Sequence, residues 1–436
     1  MKPLFAVLLL AVTPAMAQNR STLPPDLTLT QALEIALTNS TTLREAQANL
    51  QRTSGQYEQS RSALLPQVGV VARQGYLTLN LQGFGIDLAN TPRLIGPFGS
   101  MDARFILTQD LFNIANVRSW QSYSSHRDSS RYLVENAREV VALNVVGAYL
   151  QALLAKASRD TLVEQTRLAT ELYQLTADRL RQGASSELDA NRAKQQVNLL
   201  EQQRQEAEHA YVALKLNLAN ILQANITSNF EVSDQAAYGS GETMDHDATV
   251  RAALGSRPDY RAAEATVKAA ESQLASVKAT RLPTFRVRFG DGQSGTTPAH
   301  NVNTYNVQGT VEVPIFTGGR IRGEVDEAEG MLREAMTALD KNRAQIETDV
   351  LTAMSGVEWA LKEVETSGQN VSLSRQEVDL SRSRFLQGIT DNTEIVNAQD
   401  RLSKADDARI RALYTLGLAR ANLARAVGGA ERAYRK

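Results

Sequence analysis

The glycines of the segment GDGQSG, residues 290–295, have the spacing that brings a backbone turn against a pyrophosphate in dinucleotide-binding proteins. In such a site the motif opens a helix, whose N-terminal amides hold the phosphates. Here the motif is followed by TTPAHNVNTYNVQ, which contains Pro298 and alternates like a β-strand. The sequence therefore predicts a hairpin loop at residues 290–295 and no cofactor site.

Other residues that could bind a metal or act as nucleophiles are dispersed. The Asp-His-Asp run at 245–247 offers two or three metal ligands, but no second group of ligands lies near it in a polar linker. A solvated loop and helix cap is therefore favoured there. The remaining histidines, His126, His209 and His300, are far apart, and the chain has no cysteine. No nucleophile elbow or Cys/His pair is present, so the sequence indicates neither a catalytic site nor a metal site.

A polar turn that occurs twice is more informative. RLRQGASSELDANRAK begins at Arg179 and RFLQGITDNTEIVNAQ begins at Arg384, and Gly183 and Gly388 are 388 − 183 = 205 residues apart. Each glycine suits the left-handed position after a helix, and the preceding arginines favour the helix C-terminus. Capping boxes are predicted to open the returning helices at two pairs, Ser186 with Asp189 and Asp391 with Glu394.

The repeated turn belongs to a longer internal duplication. ALTNSTTLREAQANL from Ala36 aligns with ALGSRPDYRAAEATV from Ala253 at an offset of 253 − 36 = 217, which also places Pro66 on Pro283. The later offset of 205 means that the first half carries about a dozen extra residues. The predicted divisions are a signal peptide (1–17), a first repeat (18–223), a linker (224–247), a second repeat (248–428) and a C-terminal tail (429–436).

Each repeat is predicted to contain a helix, a β-hairpin, a very long helix and a return helix. The long helices contain no proline, so at 1.5 Å per residue each is roughly 100 Å long. In the first repeat we expect a helix at 28–64, strands at 68–81 and 101–112, and helices at 114–182 and 188–222. In the second repeat we expect a helix at 248–281, strands at 284–290 and 303–315, and helices at 320–387 and 392–427.

The N-terminus predicts export. Lys2 precedes the apolar run 4–12, which is too short for a stable membrane anchor, and Ala15 and Ala17 form a cleavage pattern that ends before Gln18. Without cysteine, the chain can form no disulfide and carry no S-linked lipid. The net charge of −1 gives no basic footprint for nucleic acid, and no later run of about 18 apolar residues predicts a transmembrane helix.

The strand count raises a problem of closure. Two hairpins give each chain four strands, which cannot close a β-barrel, and open sheet edges are not tolerated in lipid. Three chains would supply twelve strands, an even number of the kind that bacterial barrels use. The predicted fold is mainly α, with a β-barrel part to which several copies contribute.

In its order of elements the chain resembles the TolC-type outer-membrane efflux proteins. The signal peptide, the two halves and the twice-made R-x-x-Q-G turn carry this resemblance over about residues 27–428. It implies a homotrimer with a twelve-stranded barrel in outer-membrane lipid, continued by a long α-helical barrel across the periplasm. It also implies an exit duct for small molecules or proteins, served by an inner-membrane pump through a periplasmic adaptor. The alternative is an exported structural coiled-coil protein of the periplasm or cell surface.

By that resemblance the two turns are periplasmic tips that contact the adaptor and line the narrowest part of the duct. The adaptor is expected to dock around Arg179, Leu180, Gly183, Arg384, Phe385 and Gly388. In the family, acidic side chains form rings in the aperture. A tyrosine and an arginine near the second tip tie it to an aspartate of the first.

The gate positions of this chain depart from the family pattern. They fall on Glu394 (first acid), Asp189 (acceptor aspartate), Asn397 (second acid), Phe385 (tyrosine) and Thr390 (arginine). Phe385 has no hydroxyl and Thr390 has no guanidinium. The family's lock, meaning the ties from the tyrosine and the arginine to the aspartate, is therefore missing or is built from other residues such as Arg181 or Arg384. We expect a cation-preferring pore with one acidic ring, held closed mainly by helix packing. Alternatively, Glu394 only caps its helix.

Overall fold

The computed structural model describes residues 22–85, 93–233, 245–390 and 392–435. The predicted signal peptide at 1–17 lies outside these residues. The first repeat contains β1 (Asp26–Leu27), α1 (Leu29–Asn39), α2 (Thr41–Ser62), β2 (Gln67–Asn80), β3 (Leu94–Phe112), α3 (Ile114–Arg181) and α4 (Glu187–Ile221). The long helix α3 has 68 residues and is therefore roughly 100 Å long.

The second repeat has the same order of elements. The linker contributes β4 (Glu231–Val232), and the repeat contains α5 (His246–Ser256), α6 (Pro258–Ala279), β5 (Thr284–Thr297), β6 (His300–Glu312), α7 (Arg320–Leu386) and α8 (Asn392–Ala426). A short helix, α9 (Ala430–Tyr434), lies in the C-terminal tail. Both long helices and both return helices agree with the predicted bounds to within one residue at each end.

The first helix of each repeat is broken, whereas one continuous helix was expected from the sequence. The helix expected at 28–64 is α1 and α2, because Ser40 leaves the helical conformation and its side chain caps α2 by accepting the Leu43 N–H at 3.3 Å. The helix expected at 248–281 is α5 and α6. Here Arg257 is extended because it precedes Pro258, the first residue of α6.

The prediction of a hairpin loop at residues 290–295 is wrong. These residues lie inside β5, and the turn to β6 comes later, between Thr297 and His300. The glycines permit close approach of neighbouring strands: a Cβ on Gly292 would lie 2.2 Å from the Ala103 carbonyl oxygen. Strand β3 also begins seven residues earlier than expected, at Leu94 instead of 101.

The four long strands form one sheet in the order β2–β3–β5–β6, and every neighbouring pair is antiparallel. Pairing of β3 with β5 joins the two repeats. One row across the sheet consists of Val68, Leu107, Phe289 and Val307. The adjacent row consists of Gln67, Thr108, Arg288 and Gln308. Because successive residues point to opposite faces, one face carries the apolar row and the other the polar row.

Among the described residues, the largest buried cluster surrounds the middle of α3. Val145 and Tyr149 of α3 pack against α1, α4 and β1, and the Tyr149 hydroxyl donates to the Leu27 carbonyl at 2.8 Å. Among the described residues, α3 is also the one helix with a stretch long and apolar enough to cross a membrane, although the sequence analysis expected none. Half of that stretch is buried against the rest of the chain, which is the environment of a core helix.

The C-terminal tail fastens the second repeat to the first. Two guanidinium nitrogens of Arg138 in α3 donate to Glu431 at 2.7 and 2.5 Å, and this contact lowers the pKa of the Glu431 carboxyl. The neighbouring Glu139 accepts the Ala430 N–H at 2.6 Å, and burial raises the pKa of its carboxyl. Residues 429–436 therefore include a docked helix, although the sequence predicted only a tail.

Candidate functional site

The two predicted turns have the same backbone. Gly183 and Gly388 are left-handed, with φ of 73° and 71°. In the first turn the amides of Gly183 and Ala184 donate to the carbonyls of Leu180 and Arg179 at 3.0 and 2.8 Å. In the second turn the amides of Gly388 and Ile389 donate to the carbonyls of Phe385 and Arg384, both at 3.0 Å. This is the Schellman pattern of a helix C-terminus, so the predicted role of both glycines in ending their helices is confirmed.

Asp189 is held within the first turn by the predicted capping box. The Ser186 hydroxyl accepts the Asp189 N–H at 3.1 Å, and the Asp189 carboxylate accepts the Ser186 N–H at 3.3 Å. The same carboxylate accepts the Ser186 hydroxyl proton at 2.6 Å. Asp189 makes no ion pair with any residue that the structure describes. The second predicted box includes Asp391, which lies outside the described residues.

The arginines considered as substitutes for the family lock have other partners. Arg181 pairs with Asp178 one turn earlier in α3. Arg384 Nε lies 3.5 Å from a Glu394 carboxylate oxygen, and the side chains of this pair are 52% and 39% exposed. Glu394 is therefore partly exposed beside a cation, and neither arginine reaches Asp189 among the described contacts.

Phe385, Thr390 and Asn397 occupy three different environments. The Phe385 ring is only 4% exposed and packs between Leu172 and Ile395. The Thr390 hydroxyl is buried and has no hydrogen-bond partner among the described residues, whereas Asn397 is exposed. Phe385, expected in the aperture and in the docking groove, faces the interior of the tip in this protomer.

Contacts from three side chains, none of them predicted from the sequence, join the two turns. Asn392, fully buried, donates through Nδ2 to the Asp189 carbonyl at 3.0 Å. Arg192 donates to the Thr393 hydroxyl at 2.9 Å. Arg179 donates to two carbonyls at the end of α7. No sequence signal distinguishes Asn392 or Arg192, since polar residues near the start of a helix are usually solvated.

Comparison with known proteins decides the family. The sequence profile described as "Outer membrane efflux protein" matches residues 32–223 and 249–429, which lie within the two repeats apart from the last matched residue. The chain belongs to the outer membrane efflux protein family. The resemblance found in the sequence is thereby confirmed.

Individual members of the outer membrane efflux protein family align over nearly the whole chain. The pyoverdine export outer membrane protein OpmQ of Pseudomonas putida is 26% identical, with 92% of this chain and 86% of OpmQ covered. The probable efflux pump outer membrane protein TtgC of the same species is 24% identical, with 93% and 83% covered. The crystal structure of the Campylobacter jejuni CmeC outer membrane channel superposes with a TM-score of 0.80 at 18% identity, covering 92% of this chain and 86% of CmeC.

Family membership has direct consequences for function and location. The protein is an exit duct of the bacterial outer membrane that extends into the periplasm. The duct, and not the alternative of an exported structural coiled-coil protein of the periplasm or cell surface, is the function that the family supports. The family is one of outer membrane channels, not of enzymes, and it implies a periplasmic adaptor and an inner-membrane pump as partners.

Proposed function

We propose that three copies of this chain form a passive duct that carries small molecules from an adaptor and pump to the cell exterior. The observation that carries the proposal is the two-faced sheet with unpaired edges. Among the described residues, β2 and β6 each pair on one side only. Three copies of four strands make twelve, so each free edge can pair with the next copy and close a barrel.

We assign one face of the sheet to the lipid and the other to the bore of the barrel. Val68 and Val70 of β2 lie opposite Leu107 and Phe105 of β3, so all four share the apolar face. Lipid requires apolar side chains, so this face lies outward. The opposite face carries Arg104 and Arg288, which a water-filled bore solvates.

The long helices extend the duct away from the membrane. Helices α3 and α7 leave the sheet at Ile114 and Arg320, and the two turns lie at their far ends. An adaptor rising from the inner membrane therefore meets the turns first. Gly183 and Gly388 have open space where a side chain would be, which admits the close approach of a partner helix.

We propose an adaptor surface that differs in part from the set of residues expected from the sequence. Leu188, Leu386 and Ile389 are exposed beside the two glycines. Phe385 and Arg179 are engaged inside the tip. We therefore place the docking surface on Gly183, Gly388 and the three exposed apolar side chains, with Leu180 and Arg384 at its border.

Glu394 supplies the acidic ring of the aperture in this proposal. Asn397 is exposed but uncharged, so one ring of three carboxylates remains. Each Glu394 lies beside Arg384, which weakens the field of the ring. The pore is therefore modestly cation-preferring.

The names of two relatives favour small molecules as cargo. OpmQ is named for pyoverdine export and TtgC as a probable efflux pump protein. A duct for such cargo needs a wide bore and little selectivity, since the pump chooses the substrate. We accordingly propose efflux or export of small molecules over protein secretion.

Single cysteines test the two faces, because the chain has no cysteine of its own. Val70→Cys and its neighbour Val71→Cys form a matched pair on opposite faces of β2. Each variant is labelled with bimane and placed in bilayers with and without brominated lipid. Brominated lipid is expected to quench the fluorescence of the label at 70 and to leave that at 71 nearly unchanged.

Equal quenching at both positions, or stronger quenching at 71, would contradict the assignment of faces. Phe105→Cys and Arg104→Cys repeat the comparison on β3, which is an interior strand of the sheet. Chemical cross-linking in detergent tests the stoichiometry and should give a ladder that ends at three copies. A stable monomer that retains all its β-structure would overturn the trimer.

A further inference from the structure

Arg179 and Arg384 are equivalent residues of the two repeats, separated by 384 − 179 = 205 positions. Each lies at the same point of its turn, where its carbonyl accepts the amide of the residue after the glycine. Their side chains nevertheless have different partners. Arg384 pairs with Glu394 within the second turn, whereas Arg179 reaches from the first turn to the second.

The Arg179 guanidinium contacts the end of α7 in three ways. Nη1 donates to the Phe385 carbonyl at 2.8 Å, and Nη2 donates to the Leu386 carbonyl at 3.0 Å. The guanidinium carbon lies 4.6 Å from the centre of the Phe385 ring. A planar fork of donors suits two neighbouring carbonyls, and its charge is favourable at the negative end of a helix.

Phe385 extends this contact into the interior of the tip. Its ring packs against Leu172 of α3 and Ile395 of α8 and is covered by the Arg179 guanidinium. These contacts join the end of α7 directly to α3. Over the rest of their length, the two helices are connected by α8, which packs against both. The other links between the turns, from Asn392 and Arg192, join α8 to α4.

We infer that Arg179 is a positioning residue that holds the two turns of one protomer together as one tip. The inference rests on the proposed placement of these turns at the closed end of the duct. The Arg179 clamp, formed by Arg179 with the Phe385 and Leu386 carbonyls and the Phe385 ring, contains no carboxylate. Moving the end of α7 away from α3 separates these groups, so the clamp opposes that motion. Arg384 cannot do the same because its partner lies in its own turn.

Distance measurements between the turns test the clamp directly. Gln182 and Gln387 are exposed residues next to the two glycines, and both are replaced by cysteine and spin-labelled. Labelled chains are assembled with an excess of unlabelled chains, so that most labelled trimers contain one labelled copy. Pulsed electron paramagnetic resonance then reports the distance within one protomer. We expect a narrow distribution in the parent and a broader, longer one after Arg179→Met.

Arg384→Met is the matched control and should leave the distribution narrow. Arg179→Lys should broaden it nearly as much as Arg179→Met, because an ammonium cannot donate to both carbonyls and cover the ring in the same geometry. An unchanged distribution in Arg179→Met, or equal broadening in Arg384→Met, would overturn the clamp. Trimer content on a gel and β-structure by circular dichroism confirm that each variant is folded.

Conductance separates this inference from the proposed function. In planar bilayers, Arg179→Met is expected to raise the resting conductance several-fold, and Arg384→Met much less. If the distance broadens while the conductance stays at the parent value, the clamp holds the tip but the tip is not the gate. If neither changes, the clamp itself is wrong.

Discussion

The first and second turns share a backbone and differ in what their acidic residues do. In the first turn, Asp189 accepts the amide and hydroxyl of Ser186. In the second, Glu394 is partly exposed and lies beside Arg384. The main requirement of a Schellman turn is one residue that tolerates positive φ. The other side chains of the turn are therefore free to differ. Asp189 therefore caps the start of α4, while Glu394 remains available to an ion.

The same comparison extends to the opposite ends of the return helices. Gln223 ends α4 with φ of 52°, and Gly428, 205 residues later, follows α8 with φ of 76°. Both ends make the same pair of backbone hydrogen bonds. The first repeat adopts this conformation without glycine. In the second repeat a side chain at 428 would be crowded, because its Cβ would lie 3.1 Å from backbone atoms of Arg257.

The largest effect is expected from breaking the docking surface of the second turn. Ile389 is 60% exposed, and its equivalent in the first turn is the small residue Ala184. Ile389→Asp places a charge on an apolar contact and should abolish co-purification with the adaptor and export by the assembled pump. Ala184→Asp is the control and should weaken both much less. Equal losses in the two variants would show that the turns contribute alike.

The glycines themselves are poor probes of docking. Gly183 and Gly388 have positive φ, so Gly183→Pro or Gly388→Trp strains the turn as well as blocking a partner. A loss of export in those variants would therefore not separate docking from folding. Ile389→Asp leaves the backbone of the turn unchanged.

An intermediate effect is expected at the acidic residues. Glu394→Gln removes the charge from the proposed ring and should move the reversal potential in a potassium chloride gradient toward zero. Asp189→Asn should change it only slightly, because the Asp189 carboxylate is occupied by Ser186. If Glu394→Gln conducts like the parent, Glu394 does no more than stabilise its helix.

Asp189→Ala distinguishes a cap from a lock. Removal of a capping side chain costs about 1 kcal/mol of helix stability. The resting conductance should therefore change little. Wide opening of the pore by Asp189→Ala would mean that Asp189 forms a lock between protomers, contrary to the contacts it makes within this chain.

The smallest effects are expected at the helix ends, measured by thermal unfolding in detergent. Gly428→Ala should destabilise by about 1–2 kcal/mol because alanine disfavours positive φ. The added Cβ would also lie 3.1 Å from backbone atoms of Arg257. Gln223→Gly should be nearly neutral, since the relief of positive φ is offset by the greater freedom of glycine in the unfolded chain. Equal effects of the two substitutions would contradict the difference between the two helix ends.

Much of the architecture could be predicted from the sequence because its signals are local and repeated. Proline-free helical patterns predicted the long helices, and the glycines at 183 and 388 predicted where α3 and α7 end. The break at Pro258 also has a local signal in the sequence, because a residue before proline disfavours the helical conformation. The family could be recognised from the order of elements in the two repeats, whereas no single motif identifies it.

The sequence by itself determined that this chain has two matching halves, each with a hairpin and a rod-like helix. Only the tertiary structure decided the register of the sheet, and with it the apolar face of Val68, Leu107, Phe289 and Val307. Strand alternation is the same for either face, and a shift of one residue reverses the assignment. Only the tertiary structure also showed that Arg179 contacts α7 and that Phe385 is buried. Both depend on α3 and α7 ending side by side, and residues more than 200 positions apart carry no local signal of that contact.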